Sequence, residues 1–180
     1  MKTPAFIALC GLLLAATASA QYPEQRGKYL NPNVEDYEFK EGATAIPSYP
    51  QEANLIPVRI DAGGTDFRFF LDIQALSVAA DEVVRYSIVL QSPHGARNVF
   101  FEGIRCDSGE YRTYATGGGG QMYPATGGWK PIESDGRSAL GSFRGELQRD
   151  YFCRLSSLPK PVNVILSHVR NPSVPLQPGD

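Results

Sequence analysis

The chain has 180 residues, 17 Lys and Arg against 19 Asp and Glu, a formal net charge of −2, and 42% hydrophobic residues. That length and composition suit one domain with a core of its own. The mild acidity, with no clustered Lys or Arg, argues against nucleic acid as a partner and against electrostatic adhesion to an anionic membrane.

Residues 1–20 carry the three parts of a secretory signal peptide in order. Lys2 supplies a positive charge, Ala5 to Ala16 an apolar run, and Ala18-Ser19-Ala20 the small-x-small pattern that a signal peptidase reads. The run is shorter than the roughly 20 apolar residues a spanning helix needs. Cys10 lies inside it, but Ala8-Leu9 lacks the small residue that lipoprotein processing requires beside the cysteine. Cleavage is expected after Ala20. It removes Lys2 and Cys10, takes the net charge from −2 to −3, and leaves no stretch long and apolar enough to span a bilayer.

Residues 21–53 are expected to form an extended arm. Pro23, Pro32, Pro47 and Pro50 bias their predecessors away from helix, and Glu35-Asp36-Tyr37-Glu38 adds acidity without apolar periodicity. The arm should drape onto the domain, with Ile46, Tyr49 and Leu55 as its contact points. The ordered domain should run from Asn54 to residue 170. Ile56, Val58 and Ile60 alternate with other positions, as do Phe67, Phe69 and Leu71, and Ala62-Gly63-Gly64-Thr65 lies between them. Period-2 runs flanking a Gly-Gly turn predict a hairpin. Val84, Tyr86, Ile88 and Leu90 then line one face of a strand, with Arg85, Ser87 and Gln91 facing away. Ser92-Pro93-His94-Gly95 turns the chain. Residues 97–106 are apolar on both faces and predict a central strand, and Tyr111 to Ala115 predict a short one.

Residues 116–128 hold six glycines and a proline and predict a flexible loop or hairpin tip. Trp129 to Ile132 fit a short returning strand. Phe143, Leu147 and Tyr151 recur at i, i+4 and i+8, with Arg144, Glu146 and Gln148 between them, which is a helical period. Residues 161–169 fit two patterns: Val162, Ile165, Leu166 and Val169 that of a helix, Val162, Val164 and Leu166 that of a strand. The helix is slightly favoured. Pro172, Pro175 and Pro178 mark residues 171–180 as a disordered tail.

Export leaves Cys106 and Cys153. A lone pair in an oxidising compartment most often forms one disulfide. A metal site or a catalytic thiol is the competing reading. Against the first, His94 and His168 are not at ligand spacing. Against the second, no basic partner or local signature accompanies either cysteine. The Gly117–Gly120 run lacks the Gly-Lys-Ser/Thr of a phosphate loop. Ser142 lacks the glycine spacing of a nucleophile elbow and reads as a helix N-cap. His94 and His168 read as surface residues.

Glu102 shares a face with Phe100, Ile104 and Cys106, so its carboxylate is expected to point inward and to need a partner. Arg85 and Arg112 are the candidates on neighbouring strands. A register-fixing salt bridge is the plainer reading, an acid–base group the sharper one. Tyr111, Tyr114, Tyr123 and Trp129 cluster around the Gly-rich segment. They read either as rim packing or as a platform for sugar or peptide.

Asn54-Leu55-Ile56, Leu76-Ser77-Val78, Val83 to Ser87, Glu102 to Cys106 and Asp150 to Cys153 together resemble the cryptic neisserial protein family of Gram-negative envelope proteins. The similarity spans roughly residues 48–153, and its most specific parts are the two segments that end in cysteine. The resemblance implies a periplasmic protein and carries no established activity. The expectation is an α+β domain, an antiparallel sheet or small sandwich followed by one or two C-terminal helices. It should need no cofactor or metal. The leading function is a non-catalytic envelope module that binds another envelope protein or a polysaccharide. The alternative is a hydrolase with its site near Glu102 and the Gly-rich segment.

Overall fold

The chain divides into two units, Met1–Glu38 and Phe39–Asp180. The computed structural model describes residues 39–61, 66–133, 139–155 and 157–171, all in the second unit. The expected signal peptide, the first part of the arm, the Ala62–Thr65 turn and residues 172–180 lie outside the described residues.

Among the described residues, seven strands form one antiparallel sheet: β1 (Leu55–Val58), β2 (Arg68–Val78), β3 (Val83–Gln91), β4 (Arg97–Arg105), β5 (Glu110–Gly118), β6 (Gln121–Pro124) and β7 (Lys130–Pro131). They meander in sequence order from β1 to β6, and β7 pairs with the start of β5. A helix α1 (Ala139–Glu146) runs into a π-helical turn at Leu147–Phe152, and α2 (Val162–Arg170) follows. The α+β architecture is the one the sequence predicts, and residues 162–170 resolve as helix.

The expected hairpin is present, with Val58 opposite Phe69 and Ile56 opposite Leu71. β2 continues seven residues past Leu71, to Val78, beyond the alternating run. Its register against β3 breaks between Asp72 and Ser77, where the Gln74 amide donates to Asp72 Oδ1 at 3.0 Å. The Gly-rich segment is a regular hairpin. Gly118 pairs with Gln121 across a two-residue turn, and Gly119 and Gly120 hold φ of 58° and 80°. Side chains seldom adopt two consecutive positive φ values, so this turn needs its glycines.

One sheet face carries the main core. Phe69, Leu71, Val84, Tyr86, Ile88, Leu90 and Ile104 meet Phe143, Leu147, Tyr151, Phe152, Ile165 and Val169 from the helical region. Each fully buried large apolar side chain here contributes about 1.5–3 kcal/mol. The α-helical period accounts for Phe143, Leu147 and Tyr151. The π turn widens the last coil, so Phe152 also turns inward, five residues after Leu147. The Cys153 amide closes that turn on Gln148 O at 2.8 Å.

Cys153 then meets Cys106, just past the end of β4. The sulfurs are 2.00 Å apart and the Cα atoms 5.6 Å apart, inside the reach of a disulfide. The expected pairing is therefore formed, and it bolts the helical region to the middle of the sheet.

Arg85 and Ser87 lie on the second face of β3, as the alternation predicts, and that face is covered too, so they are 4% and 0% exposed. Two expectations change. His168 is buried rather than superficial, since it shares the inward face of α2 with Ile165 and Val169. Ser142 lies within α1 rather than at its start.

Candidate functional site

The two faces of the sheet bear different polar clusters. On the helix face, Glu102 is opposite Tyr86 of β3 and Thr113 of β5, so three neighbouring strands aim polar groups at one point. Tyr86 Oη donates to Glu102 Oε2 at 3.0 Å, and Thr113 Oγ1 to Oε1 at 2.9 Å. Arg144 of α1 completes the cluster bidentately, Nε to Oε2 at 2.8 Å and Nη2 to Oε1 at 2.6 Å. Its guanidinium also stacks 4.1 Å from the Tyr111 ring centroid. Burial, reinforced by the Glu102 charge, holds the Tyr86 phenol well above its ordinary pKa, so it remains a donor.

Glu102 is thus inward and paired, as its place in the strand predicts, but its partner is Arg144 rather than Arg85 or Arg112. Both of those arginines stand opposite Gly103, one residue out of step, which sends them to the other face. A signal for Arg144 existed: Arg144, Leu147 and Tyr151 are spaced i, i+3 and i+7, along one helix face. The Glu102 carboxylate is wholly buried and accepts four hydrogen bonds. It has no lone pair left for proton transfer to a substrate, so its chemistry is that of a structural ion pair.

The second face carries Arg85, Arg112, Tyr114 and Trp129, and the arm lies on it. Glu41 is the centre. Its Oε2 accepts from Arg112 Nη1 at 2.5 Å and from Trp129 Nε1 at 3.2 Å, and its Oε1 from Tyr114 Oη at 2.7 Å. Phe39 sits 3.8 Å beneath the Arg105 guanidinium and meets Trp129 edge-on at 5.8 Å. Gly42 donates its amide to Asp81 Oδ2 at 2.7 Å. Arg85 grips Asp81 with both terminal nitrogens, at 3.0 and 2.6 Å, and donates Nε to Thr44 Oγ1 at 2.8 Å. Those hydrogen bonds from Arg85 hold the Asp81 carboxyl down at about 2.

Gly103 makes this cluster geometrically feasible. A Cβ there would stand 2.8 Å from Tyr114 Oη and 2.9 Å from Val83 Cγ1. The register shift opposite Phe101–Glu102 leaves Tyr114 as an extra residue in β5. Tyr114 and Ala115 consequently both pack with Phe101, as a bulge allows.

The four aromatic candidates do not form one platform. Tyr114 and Trp129 lie together, rings edge-on at 6.5 Å. Tyr111 is on the opposite face under Arg144, and Tyr123 stands 51% exposed on β6. The arm contacts also differ from expectation. Phe39, Glu41, Gly42 and Thr44 make the specific bonds, while Ile46 is 39% exposed and Leu55 belongs to β1. Nothing in the local sequence singles out Glu41; only the surplus of basic and aromatic residues on β4, β5 and the segment after β6 hints at an acidic counterpart. A cleft of about 410 Å³ opens beside Glu41, lined in part by Ile46, Arg112, Tyr114 and Pro124. Among the described residues no three His, Cys, Asp or Glu side chains converge as metal ligands would, and no helix is long and apolar enough to cross a membrane.

These features define a seven-stranded antiparallel meander with a disulfide-bolted helical region on one face and an extended arm on the other. The CNP1-like family model matches residues 34–170, and the chain belongs to that family. Searches of curated proteins and of solved structures found no match.

Proposed function

We propose that the protein is an exported, periplasmic, non-catalytic module that binds another component of the cell envelope through the arm-side face of its sheet. The supporting observation is where accessible chemistry lies. The cleft beside Glu41 brings exposed Ile46 together with partly exposed Arg112 over the buried Tyr114, a mixture of apolar, cationic and aromatic groups suited to recognition. Glu102, by contrast, is sealed and saturated. Export is supported by the Lys2, Ala5–Ala16 and Ala18-Ser19-Ala20 pattern, and a disulfide between Cys106 and Cys153 is consistent with an oxidising compartment.

The test is site-specific photo-crosslinking in intact cells, with the probe at Ile46 or Tyr123 and, as the control, at the exposed His94. One species captured at both test positions and not at His94, on a mature chain whose mass begins at Gln21, is the expected result. Equal capture at all three, or a chain retaining Met1, would overturn the reading.

A further inference from the structure

Residues 39–44 are held on the sheet as a bound peptide is held. They have no regular secondary structure, and their attachment runs through a few separated anchors. Phe39 stacks under Arg105, Glu41 takes three donors from Arg112, Tyr114 and Trp129, and Gly42 and Thr44 bond to Asp81 and Arg85. Between the anchors, Lys40 and Ala43 are exposed. Every receptor group belongs to the sheet, its connecting turn or the segment after β6, and is between 39 and 90 residues away from its arm partner in sequence. Burial and the bond to Glu41 push the Tyr114 phenol upward, which keeps it a donor to a carboxylate.

We propose that this socket recognises an extended acidic segment of a partner protein, an aromatic residue followed two positions later by a glutamate, and that Phe39-Lys40-Glu41 occupies it in cis until displaced. Three observations carry this. Three donors converge on one carboxylate from two separate segments of backbone, β5 and the stretch after β6, a geometry that selects charge and position together. Arg105 and Trp129 form an aromatic–cation slot for the ring two residues earlier. The adjoining cleft, beside Arg112, Tyr114 and Pro124, leaves room for an incoming chain to engage before the arm departs. Tethering gives the resident segment an effective concentration on the order of millimolar, so a free competitor is disfavoured unless the arm is weakened. This proposal rests on the binding function above and names its partner class.

The experiment uses the full mature chain with Phe39→Ala and Glu41→Ala together. A milder Glu41→Gln chain is run in parallel, and both are first shown to melt cooperatively. The probe is a fluorescent peptide with the sequence of residues 39–46, followed by anisotropy and by Trp129 emission. Saturable binding to the weakened chains is expected, at least about tenfold tighter than to the unaltered chain. It should be lost when the peptide carries Gln for its Glu, or when Arg112→Ala is added to the chain. No binding by either folded variant, or binding indifferent to the Glu-to-Gln change, would overturn the socket. A partner crosslinked at Ile46 together with a silent peptide titration would remove the socket and leave the binding module standing.

Discussion

Glu102 and Arg144 show how a buried charge is made tolerable. Two guanidinium nitrogens, a phenol and a hydroxyl surround one carboxylate, so desolvation is offset by hydrogen bonds on both oxygens. Removing one partner strands the other. Arg144→Met is expected to lower unfolding stability by about 3–5 kcal/mol, read from urea denaturation with the disulfide intact. Adding Glu102→Gln to that variant should recover a large part of the loss, and a double variant as unstable as the sum of the singles would show no coupling. Asp81 makes a different prediction. Its folded-state carboxyl lies near 2, below the ordinary value of 3.8, so its contribution is complete above about pH 4 and is lost as pH falls toward 2. Asp72 is shifted the other way, raised by burial, and so favours the fold as it becomes protonated. Asp81→Asn should therefore flatten the acid limb of the stability profile between pH 4 and pH 2. An acid limb unchanged by that substitution would remove Asp81 from the account.

At the scale of elements, the disulfide and the π turn act together. Cys153 follows directly on the π-helical Leu147–Phe152 segment, which turns both Tyr151 and Phe152 toward the core. The bridge spans a sequence separation of 47, for which chain entropy alone gives about 4 kcal/mol before strain. Cys106→Ser with Cys153→Ser is expected to reduce the urea midpoint strongly while leaving the sheet's circular dichroism recognisable below the transition; a midpoint unchanged within error would contradict it. Much of this architecture was legible in the residues. Alternation marked β1, the start of β2, and β3, an apolar run on both faces marked β4, the 143–147–151 spacing marked the helix, and cysteine count with compartment marked the bridge. Other features depend on a partner that local pattern does not contain. The full length of β2 was hidden because its register breaks between Asp72 and Ser77. Arg144 shares a helix face with Leu147 and Tyr151, but nothing local ties it to Glu102, 42 residues away. Glu41 lay in a proline-rich arm with no periodicity, and its three donors are 71, 73 and 88 residues away.

At the largest scale, the described unit is one sheet whose two faces are closed differently. The helix side is closed by the core, the ion pair and the disulfide. Among the described residues, the arm side is covered by an extended segment, many of whose residues are exposed, and such segments open at lower free energy than central strands. Gly103 links the two sides: between Arg85 and Arg112 in register, it gives Tyr114 the space to reach Glu41. Native-state hydrogen exchange of the full mature chain tests this division most directly. The Gly42 amide, bonded to Asp81, reports the arm, and the β4 amides from Phe101 to Ile104 report the sheet. After correction for intrinsic rates, the account predicts that Gly42 exchanges at least about a hundredfold faster, through local opening, while β4 exchanges only with global unfolding. Equal protection of Gly42 and β4, both lost only in the global transition, would contradict it.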